Sequence, residues 1–329
     1  MNIGFSLFVV FALILIAFVG AGLAGWQSLF GVWIPYAALF VFLGGVIYRV
    51  VRWAKAPVPF RIPTTCGQQK SLSWIRSSFF ENPHSGWGAV GRMALEVLLF
   101  RSLFRNTKVS LQNRRPVYGG AKWLWLAGLT FHWSFLVIIT RHLRFFTEPV
   151  PLPVNLLAAL DGLFEIAVPT LYLTDAALLL AVSYLFLRRV AIPQLRYISL
   201  AADYFPLLLI LAIGVSGFLM RHVVKVDLEK VKELSLGWFS FRPSVPEGIG
   251  AVFYIHLFLV CSLLIYFPFG KLMHLGGVFF SPTRNLANNN RSRRHINPWN
   301  YRVRVHTYEE YEEEFRGRMK EAGIPVEKE

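Results

Sequence analysis

Four histidines in two strongly apolar segments are the residues of this chain best suited to chemistry. His132 and His142 lie in WLWLAGLTFHWSFLVIITRHLRFF, and His256 and His274 lie in GAVFYIHLFLVCSLLIYFPFGKLMH. Imidazole is rare in membrane hydrocarbon and usually functional there, because a polar group is costly in that environment. Two histidines in each of two helical segments supply the four nitrogen ligands that two six-coordinate haems require. The pattern therefore predicts an electron-carrying membrane cytochrome.

The cysteines narrow the kind of haem that this chain could hold. Cys66 lies in a polar loop and Cys261 in an apolar segment, and neither CxxC nor CxxCH occurs in the sequence. Attachment of a c-type haem needs CxxCH, and an iron–sulfur cluster needs several closely spaced cysteines. The sequence therefore predicts two non-covalently bound haems b, and no iron–sulfur cluster held by this chain alone.

Composition indicates a membrane protein. Hydrophobic residues make up 55% of the 329 residues, whereas charged residues make up only 16%. A soluble domain normally carries more charge. The net charge of +15 would suggest nucleic-acid binding in a soluble protein, but the basic residues here flank apolar segments. Such residues orient a membrane protein and contact lipid headgroups, so we expect a lipid bilayer and no nucleic acid as a partner.

The apolar stretches fit six transmembrane helices, so the predicted fold class is an all-α integral membrane protein. No charged residue precedes Arg49, and two spans of about 20 residues fit into that stretch. A cleaved signal peptide is the alternative for the first span, but the start MNIGFSL lacks the basic residues typical of one. The six predicted spans are Ile3–Ala24, Gly31–Tyr48, Trp123–Phe146, Ile166–Leu187, Tyr204–Met220 and Ile249–Phe269.

The distribution of lysine and arginine predicts how the spans are oriented. Loop 53–120 holds ten Lys or Arg residues against two acidic residues, and the segment that follows Lys271 is also rich in arginine. Basic loops remain on the cytoplasmic side of a membrane. We therefore expect a multi-pass protein of the cell membrane with its N- and C-termini in the cytoplasm. Below, "inner" denotes the predicted cytoplasmic end of each helix and "outer" the opposite end.

Helix direction predicts which histidines lie close together. The first histidine segment runs outward and the second runs inward, so His142 should pair with His256 near the outer end. His132 should pair with His274 near the inner end. The 18 residues from His256 to His274 amount to five helical turns, which would place both on one face of a continuous helix.

The two histidine spacings do not match along the membrane normal. At about 1.5 Å per residue, the first two histidines are about 15 Å apart and the last two about 27 Å apart. Pro268 and Gly270 lie between the last two and could bend or end that helix. A bend or a helix end there would reduce the mismatch.

Polar residues near the outer end are candidates for a quinone site. Quinol oxidation releases two protons with two electrons, so the site needs groups that accept protons. The candidates are Arg141, Arg144, Asp175, Arg221 and His222. Intramembrane carboxylates often mark proton or ligand paths, and an ion pair with a neighbouring helix or a place near the interface explains Asp175 equally well.

Two inner segments could contact the membrane surface or a soluble protein. GRMALEVLLFRSLFR (Gly91–Arg105) is amphipathic, which suits a helix at the membrane interface, and a docking surface for a partner is the alternative. The tail segment EEYEEEFRGRMKEAG predicts a short solvated helix. It is either a disordered end or a contact for a soluble subunit.

A five-span unit with His-x9-His on its second helix and His-x17-His on its fifth resembles the gamma subunit of respiratory nitrate reductase. With its extra first span and long basic loop, the chain also resembles the DsrM family. That family comprises the membrane cytochromes b of sulfite-reduction-associated and archaeal menaquinol-oxidising complexes. The resemblance implies a five-helix dihaem bundle over residues 31–280, an extra N-terminal helix over 1–30 and a cytoplasmic tail over 281–329.

The resemblance also implies cofactors and partners. It implies two haems b, whose iron would be bound by the four span histidines, and menaquinone as the substrate. The cytoplasmic partner would be an iron–sulfur subunit similar to heterodisulfide reductase, and further membrane and extracytoplasmic subunits would complete the complex. The chain would then be an electron-transfer subunit of a quinol-oxidising oxidoreductase. The alternative is a haem-free membrane anchor or a transporter, although the repeated halves of a transporter are not visible.

Overall fold

The structure is a computed structural model that describes residues 2–56, 67–162, 169–281, 283–289 and 304–327. Nearly all of the secondary structure in these residues is helical. The described elements, in chain order, are α1 (Asn2–Ala17), α2 (Ile34–Ala54), α3 (Gly86–Leu99), α4 (Arg101–Phe104), β1 (Thr107–Gln112), β2 (Arg115–Gly120), α5 (Lys122–His142), α6 (Leu152–Asp161), α7 (Leu173–Ala191), α8 (Pro193–Ile198), α9 (Ala201–His222), α10 (Leu228–Phe239), α11 (Ala251–Tyr266), α12 (His274–Gly277) and α13 (Tyr308–Glu321).

Five helices in the described part of the chain are long and apolar enough to cross a membrane. They are α1 with the π-helical segment Phe18–Leu23, α2 with the preceding π-helical segment Leu29–Trp33, α5, α9 and α11. With the short segments that extend them, they have 19 to 26 residues, which suits a hydrocarbon layer of about 30 Å. The chain is therefore an integral membrane protein, and the sequence predicted all five helices.

α7 corresponds to the fourth predicted span, and it carries more charge than the other five helices. Asp175 lies in its first turn, and Arg188 and Arg189 lie in its last turn. Ile166, where the predicted span begins, lies outside the described residues. α7 packs against both α5 and α9, which makes it a member of the helix bundle. The count of six spans stays a prediction, and α7 is the crossing on which it depends.

The helices pack in the order α5, α7, α9, α11 and α2, and α1 packs against both α9 and α11. Val10 of α1, Leu208 and Leu209 of α9, and Leu259 of α11 form a buried cluster where these three helices meet. The first helix therefore packs directly on the bundle. Large side chains on the outside remain exposed, including Phe40 at 80%, as expected for a surface that faces lipid.

α2 approaches the end of α11 closely because Gly45 has no side chain. A Cβ atom at Gly45 would lie only 2.6 Å from Cγ of Pro268, which is closer than van der Waals contact allows. Phe42 and Phe267 pack edge to face beside this contact, with ring centroids 5.5 Å apart. This packing fixes the chain where α11 ends, shortly before His274.

The predicted amphipathic helix Gly91–Arg105 differs from the structure at both ends. The helix α3 begins five residues earlier, at Gly86, because Ser85 caps it by accepting a hydrogen bond from the backbone N–H of Gly88 at 3.2 Å. The expectation of one continuous helix is wrong, because Phe100 has φ 50° and ψ 46° and separates α3 from α4. A left-handed residue ends a helix.

A β-hairpin that the sequence did not predict lies between α4 and α5. β1 pairs with β2 in antiparallel register, with Val109 opposite Tyr118 and Ser110 opposite Val117. Its two turn residues, Asn113 and Arg114, have φ of 51° and 65°, as in the type I′ turns that suit the twist of two-residue hairpins. Within the described residues, the hairpin is a small addition to a helical fold.

The acidic tail segment forms the short helix that was predicted. Thr307 caps α13 by accepting a hydrogen bond from the backbone N–H of Glu310, whose side chain in turn accepts from the backbone N–H of Thr307. This reciprocal capping box stabilises the start of a helix. Most side chains of α13 are exposed, in keeping with the solvated helix expected from its charge.

Candidate functional site

The inner histidine pair lies where the sequence predicts it. His132 is near the middle of α5, and His274 begins α12. Their ring centroids are 5.8 Å apart, and their planes are inclined by 83°. Two imidazoles as close as these could both bind one metal ion through their Nε2 atoms.

The outer two histidines are close enough to interact electrostatically. His142 is the last residue of α5, and His256 lies in the second turn of α11. Two residues of α9 lie next to the imidazole of His256. Ser216 forms a hydrogen bond of 2.9 Å with Nδ1 of its ring, and a Cβ atom at Gly217 would lie 3.4 Å from Cε1. α9 thus orients the imidazole and leaves it room.

Hydrogen bonds fix the proton on Nδ1 of the other three imidazoles. Each of these Nδ1 atoms bonds to a backbone carbonyl: His132 to Gly128 at 2.7 Å, His142 to Ile138 at 2.7 Å and His274 to Lys271 at 2.9 Å. A carbonyl oxygen only accepts hydrogen bonds, so Nδ1 carries a proton, and in the neutral imidazole Nε2 then keeps its lone pair. Histidines that bind metals are oriented in this way.

The same conclusion holds for His256 through Ser216. The Ser216 hydroxyl donates to the backbone carbonyl of Ile213 at 3.0 Å, so its oxygen accepts from Nδ1–H of His256. Each of the four histidines therefore has a basic Nε2 atom that is available to bind a metal, and the four form two pairs. The chemistry of this donor set fits two bis-histidine haems.

One geometric expectation from the sequence is wrong. His256 and His274 do not share one face of a continuous helix, because α11 ends at Tyr266. A 3₁₀ segment that contains Pro268 follows, and Gly270 then has extended backbone angles of φ −94° and ψ −176°. His274 therefore lies in a new helical segment. A break at this place reduces the mismatch between the two histidine spacings, as Pro268 and Gly270 allow.

The packing of the bundle leaves three of the four histidines exposed. α5 packs mainly on α6 and α7, whereas α11 packs on α1, α2 and α9, so the two histidine-bearing helices make little direct contact. His132, His142 and His274 are exposed in the protein alone, although their segments are apolar. Exposed imidazoles on apolar helices are expected where a cofactor, and not another helix, covers them.

The outer quinone-site candidates form one polar cluster around Arg141. Its guanidinium is buried and forms ion pairs with Asp161, at 3.0 Å, and with Asp175. It also lies over the ring of Tyr172, with 3.7 Å between Cζ and the ring centroid. Arg221 lies over the same ring at 4.4 Å. Two of the five candidates thus lie over one tyrosine ring, and a third, Asp175, joins them through its ion pair with Arg141.

The other two candidates lie at the edge of this outer cluster. The ring of His222 packs against Phe218 with centroids 4.6 Å apart, and its Nε2 atom is buried without a hydrogen-bond partner among the described residues. It lies within electrostatic range of Asp175. Arg144 lies in the 3₁₀ segment after α5, close to His142. His222 therefore offers the outer cluster an uncommitted polar atom.

Sequence reasoning missed two members of the outer cluster and a second cluster at the inner end. Asp161 and Tyr172 belong to the outer cluster, and the acid in an otherwise apolar α6 was the available signal for Asp161. At the inner end, Asp203 accepts a hydrogen bond of 2.6 Å from Nζ of Lys271 and lies 3.8 Å from Arg189. The backbone carbonyl of Lys271 accepts a hydrogen bond from Nδ1 of His274, so Lys271 links Asp203 to His274.

Residues 87–294, which include all four histidines, match the family described as nitrate reductase gamma subunit. The chain is 46% identical over 278 residues to the Hdr-like menaquinol oxidoreductase cytochrome b-like subunit of Archaeoglobus fulgidus. The aligned region covers 82% of this chain and 83% of that protein. It is 43% identical over 277 residues to the protein of the same description from Archaeoglobus profundus, with 81% of each covered. The likeness therefore extends well beyond the histidine motifs.

Proposed function

Since the chain belongs to the nitrate reductase gamma subunit family, as a membrane cytochrome b of the Hdr-like type, we propose that it holds two haems b and exchanges electrons with menaquinone. The electrons pass between menaquinol or menaquinone and a cytoplasmic iron–sulfur protein similar to heterodisulfide reductase. The chain is then an electron-transfer subunit of a quinol-oxidising oxidoreductase, assembled with further membrane and extracytoplasmic subunits.

The observation that carries this proposal is the state of the four imidazoles. They form two pairs, and each ring has its Nδ1 committed to a hydrogen bond and its Nε2 basic. We assign His142 and His256 to the outer haem iron and His132 and His274 to the inner one. When bound, each haem supplies a one-electron iron couple whose potential depends on its axial ligands and their hydrogen bonds.

We place quinol oxidation at the outer cluster. A quinol that loses two electrons must also release two protons, so proton acceptors have to lie beside the bound headgroup. Nε2 of His222 is buried without a hydrogen-bond partner among the described residues, and the Asp175 carboxylate lies within electrostatic range of this ring. Arg141, Arg144 and Arg221 add positive charge, which favours ionisation of the quinol. The outer cluster thus has the groups required to hold the headgroup and take up its protons.

The topology of the proposal follows the charge distribution. With six spans and both termini in the cytoplasm, the basic loop 53–120 and the tail 281–329 lie on the same side as the iron–sulfur partner. The quinone and its soluble partner then contact opposite ends of the bundle. With its two partners at opposite ends, the chain transfers electrons from one side of the membrane to the other.

Replacing His222 with alanine tests the quinol site. We expect His222→Ala to slow haem reduction by a menaquinol analogue by about 10²-fold, because a positioned proton acceptor contributes at least that much. Both haem spectra should stay unchanged, since His222 is not one of the four proposed ligands. The measurement is anaerobic stopped-flow absorbance of the purified chain in detergent.

The matched control is His306→Ala, which changes an exposed histidine of the tail. It should reduce at the wild-type rate. Unchanged kinetics in His222→Ala would contradict the outer placement. A chain that takes up no electrons from menaquinol analogues would support the alternative of a haem-free anchor or transporter.

A further inference from the structure

Phe100 has a backbone conformation that a phenylalanine rarely adopts. With φ 50° and ψ 46°, it lies in the left-handed region directly after α3. Glycine is the usual residue at this position after a helix, because a Cβ atom is unfavourable there. Strained residues of this kind persist only where their surroundings hold them. The contacts of the Phe100 side chain show what holds it.

The ring of Phe100 packs against His132. Their centroids are 4.9 Å apart, and the planes are inclined by 88°. Phe131 packs against the same imidazole at 5.0 Å and 89°. Together with the hydrogen bond from Nδ1 to Gly128, these two rings restrict rotation of the imidazole about its side-chain bonds. Gly128 and Phe131 belong to α5, whereas Phe100 does not.

Two tryptophans of α5 fasten the end of α3 at the same place. The indole N–H of Trp125 donates to the backbone carbonyl of Leu99 at 2.7 Å, and that of Trp133 donates to Leu98 at 3.1 Å. The last carbonyls of a helix lack partners within it, so these bonds satisfy groups that need one. The end of α3 is thus joined to α5 on both sides of His132.

The polar face of α3 is fastened to the segment that follows His274. Arg284 forms an ion pair with Glu96 and donates to Oγ of Ser102 at 2.9 Å. Arg92 donates to the backbone carbonyl of Thr283 at 2.5 Å. Thr283 and Arg284 lie about ten residues beyond His274, so α3 contacts both chain segments of the inner histidine pair.

We propose that Phe100 is a positioning residue for His132, and that α3 is a clamp that holds the two segments of the inner histidine pair in register. This inference rests on the proposed ligation of the inner haem by His132 and His274. Phe100 fixes the imidazole plane of His132, while Arg92 and Glu96 hold the chain that follows His274. The orientation and hydrogen bonding of an axial ligand tune the potential of its haem.

The test measures the two haem midpoint potentials, and the EPR spectrum of the oxidised protein, in variants at position 100. Phe100→Gly suits the left-handed backbone but removes the ring, and Phe100→Leu keeps apolar bulk without the ring. We expect both to retain two haems and to shift the potential and EPR signal of the inner haem alone. Phe100→Tyr, which keeps the ring, should give wild-type values.

Phe104→Leu is the matched control. Phe104 lies one turn further along, and its ring packs against Trp125 with centroids 4.9 Å apart. It should leave both haems unchanged. The inner haem is identified as the one lost in His274→Ala.

Unshifted inner-haem signals in both Phe100→Gly and Phe100→Leu, or an equal shift in Phe104→Leu, would overturn the clamp while leaving the proposed function intact. A wild-type chain without haem would overturn the proposed function, and this inference with it. If Phe100→Gly fails to fold, Phe100→Leu and Phe100→Tyr decide the outcome.

Discussion

Replacing His256 with alanine should reduce the haem content from two per polypeptide to about one, because bis-histidine ligation requires both imidazoles. His142→Ala should remove the same haem, since we assign both His142 and His256 to the outer haem and the two interact electrostatically. His132→Ala and His274→Ala should remove the other one. The measurement is haem content and the low-temperature reduced-minus-oxidised spectrum of each purified variant.

The pairing is what this series tests most sharply. The spectra of His142→Ala and His256→Ala should coincide, and they should differ from the shared spectrum of His132→Ala and His274→Ala. Identical spectra for His142→Ala and His132→Ala would show that the pairing by depth is wrong. His84→Ala changes an inner-loop histidine that contacts Lys70, and it should leave both haems in place.

Replacing Arg141 with leucine should destabilise the bundle by about 3–5 kcal/mol, the usual cost of removing one partner from a buried ion pair. The Arg141 side chain is 8% exposed and that of Asp161 is 4% exposed, so the carboxylates that remain would lose their counter-charge away from water. Arg141→Lys should recover part of the loss, because it keeps the charge but not the planar contact with Tyr172. Thermal unfolding in detergent measures the difference.

Lys232→Met provides the control for Arg141. It breaks the ion pair between Lys232 and the exposed Glu148, which belongs to the outer surface. Exposed pairs contribute about 0–1 kcal/mol, so stability should barely change. Equal stability of Arg141→Leu and Lys232→Met would mean that the outer cluster does not stabilise the fold.

The sequence predicted those features that depend on helix direction and apolar length. Five spans lie where hydropathy places them, and the two histidine pairs come together because α5 and α11 run in opposite directions. Arg141, Asp175 and Arg221 meet because all three lie at the outer ends of neighbouring helices. Once the helices are known, the position of a residue along its helix gives the depth of that residue in the membrane.

Features set by tertiary contact could not be predicted in this way. Pro268 and Gly270 indicated that the helix could break between Tyr266 and His274, but the close approach of Pro268 to Gly45, which is far away in the chain, was not predictable. The end of α3 at Phe100 contradicts the helical pattern of the segment, since tertiary contacts override local propensity. Asp203 and Lys271 come together only when the inner ends of α9 and α11 are adjacent.

The haem content of the purified wild-type chain tests the central proposal most directly. Extraction into acidic acetone should release all the haem, because the sequence lacks the CxxCH of covalent attachment. We predict two haems b per polypeptide, both reducible by dithionite. A folded, monodisperse preparation that carries no haem would contradict the assignment of the four histidines as ligands.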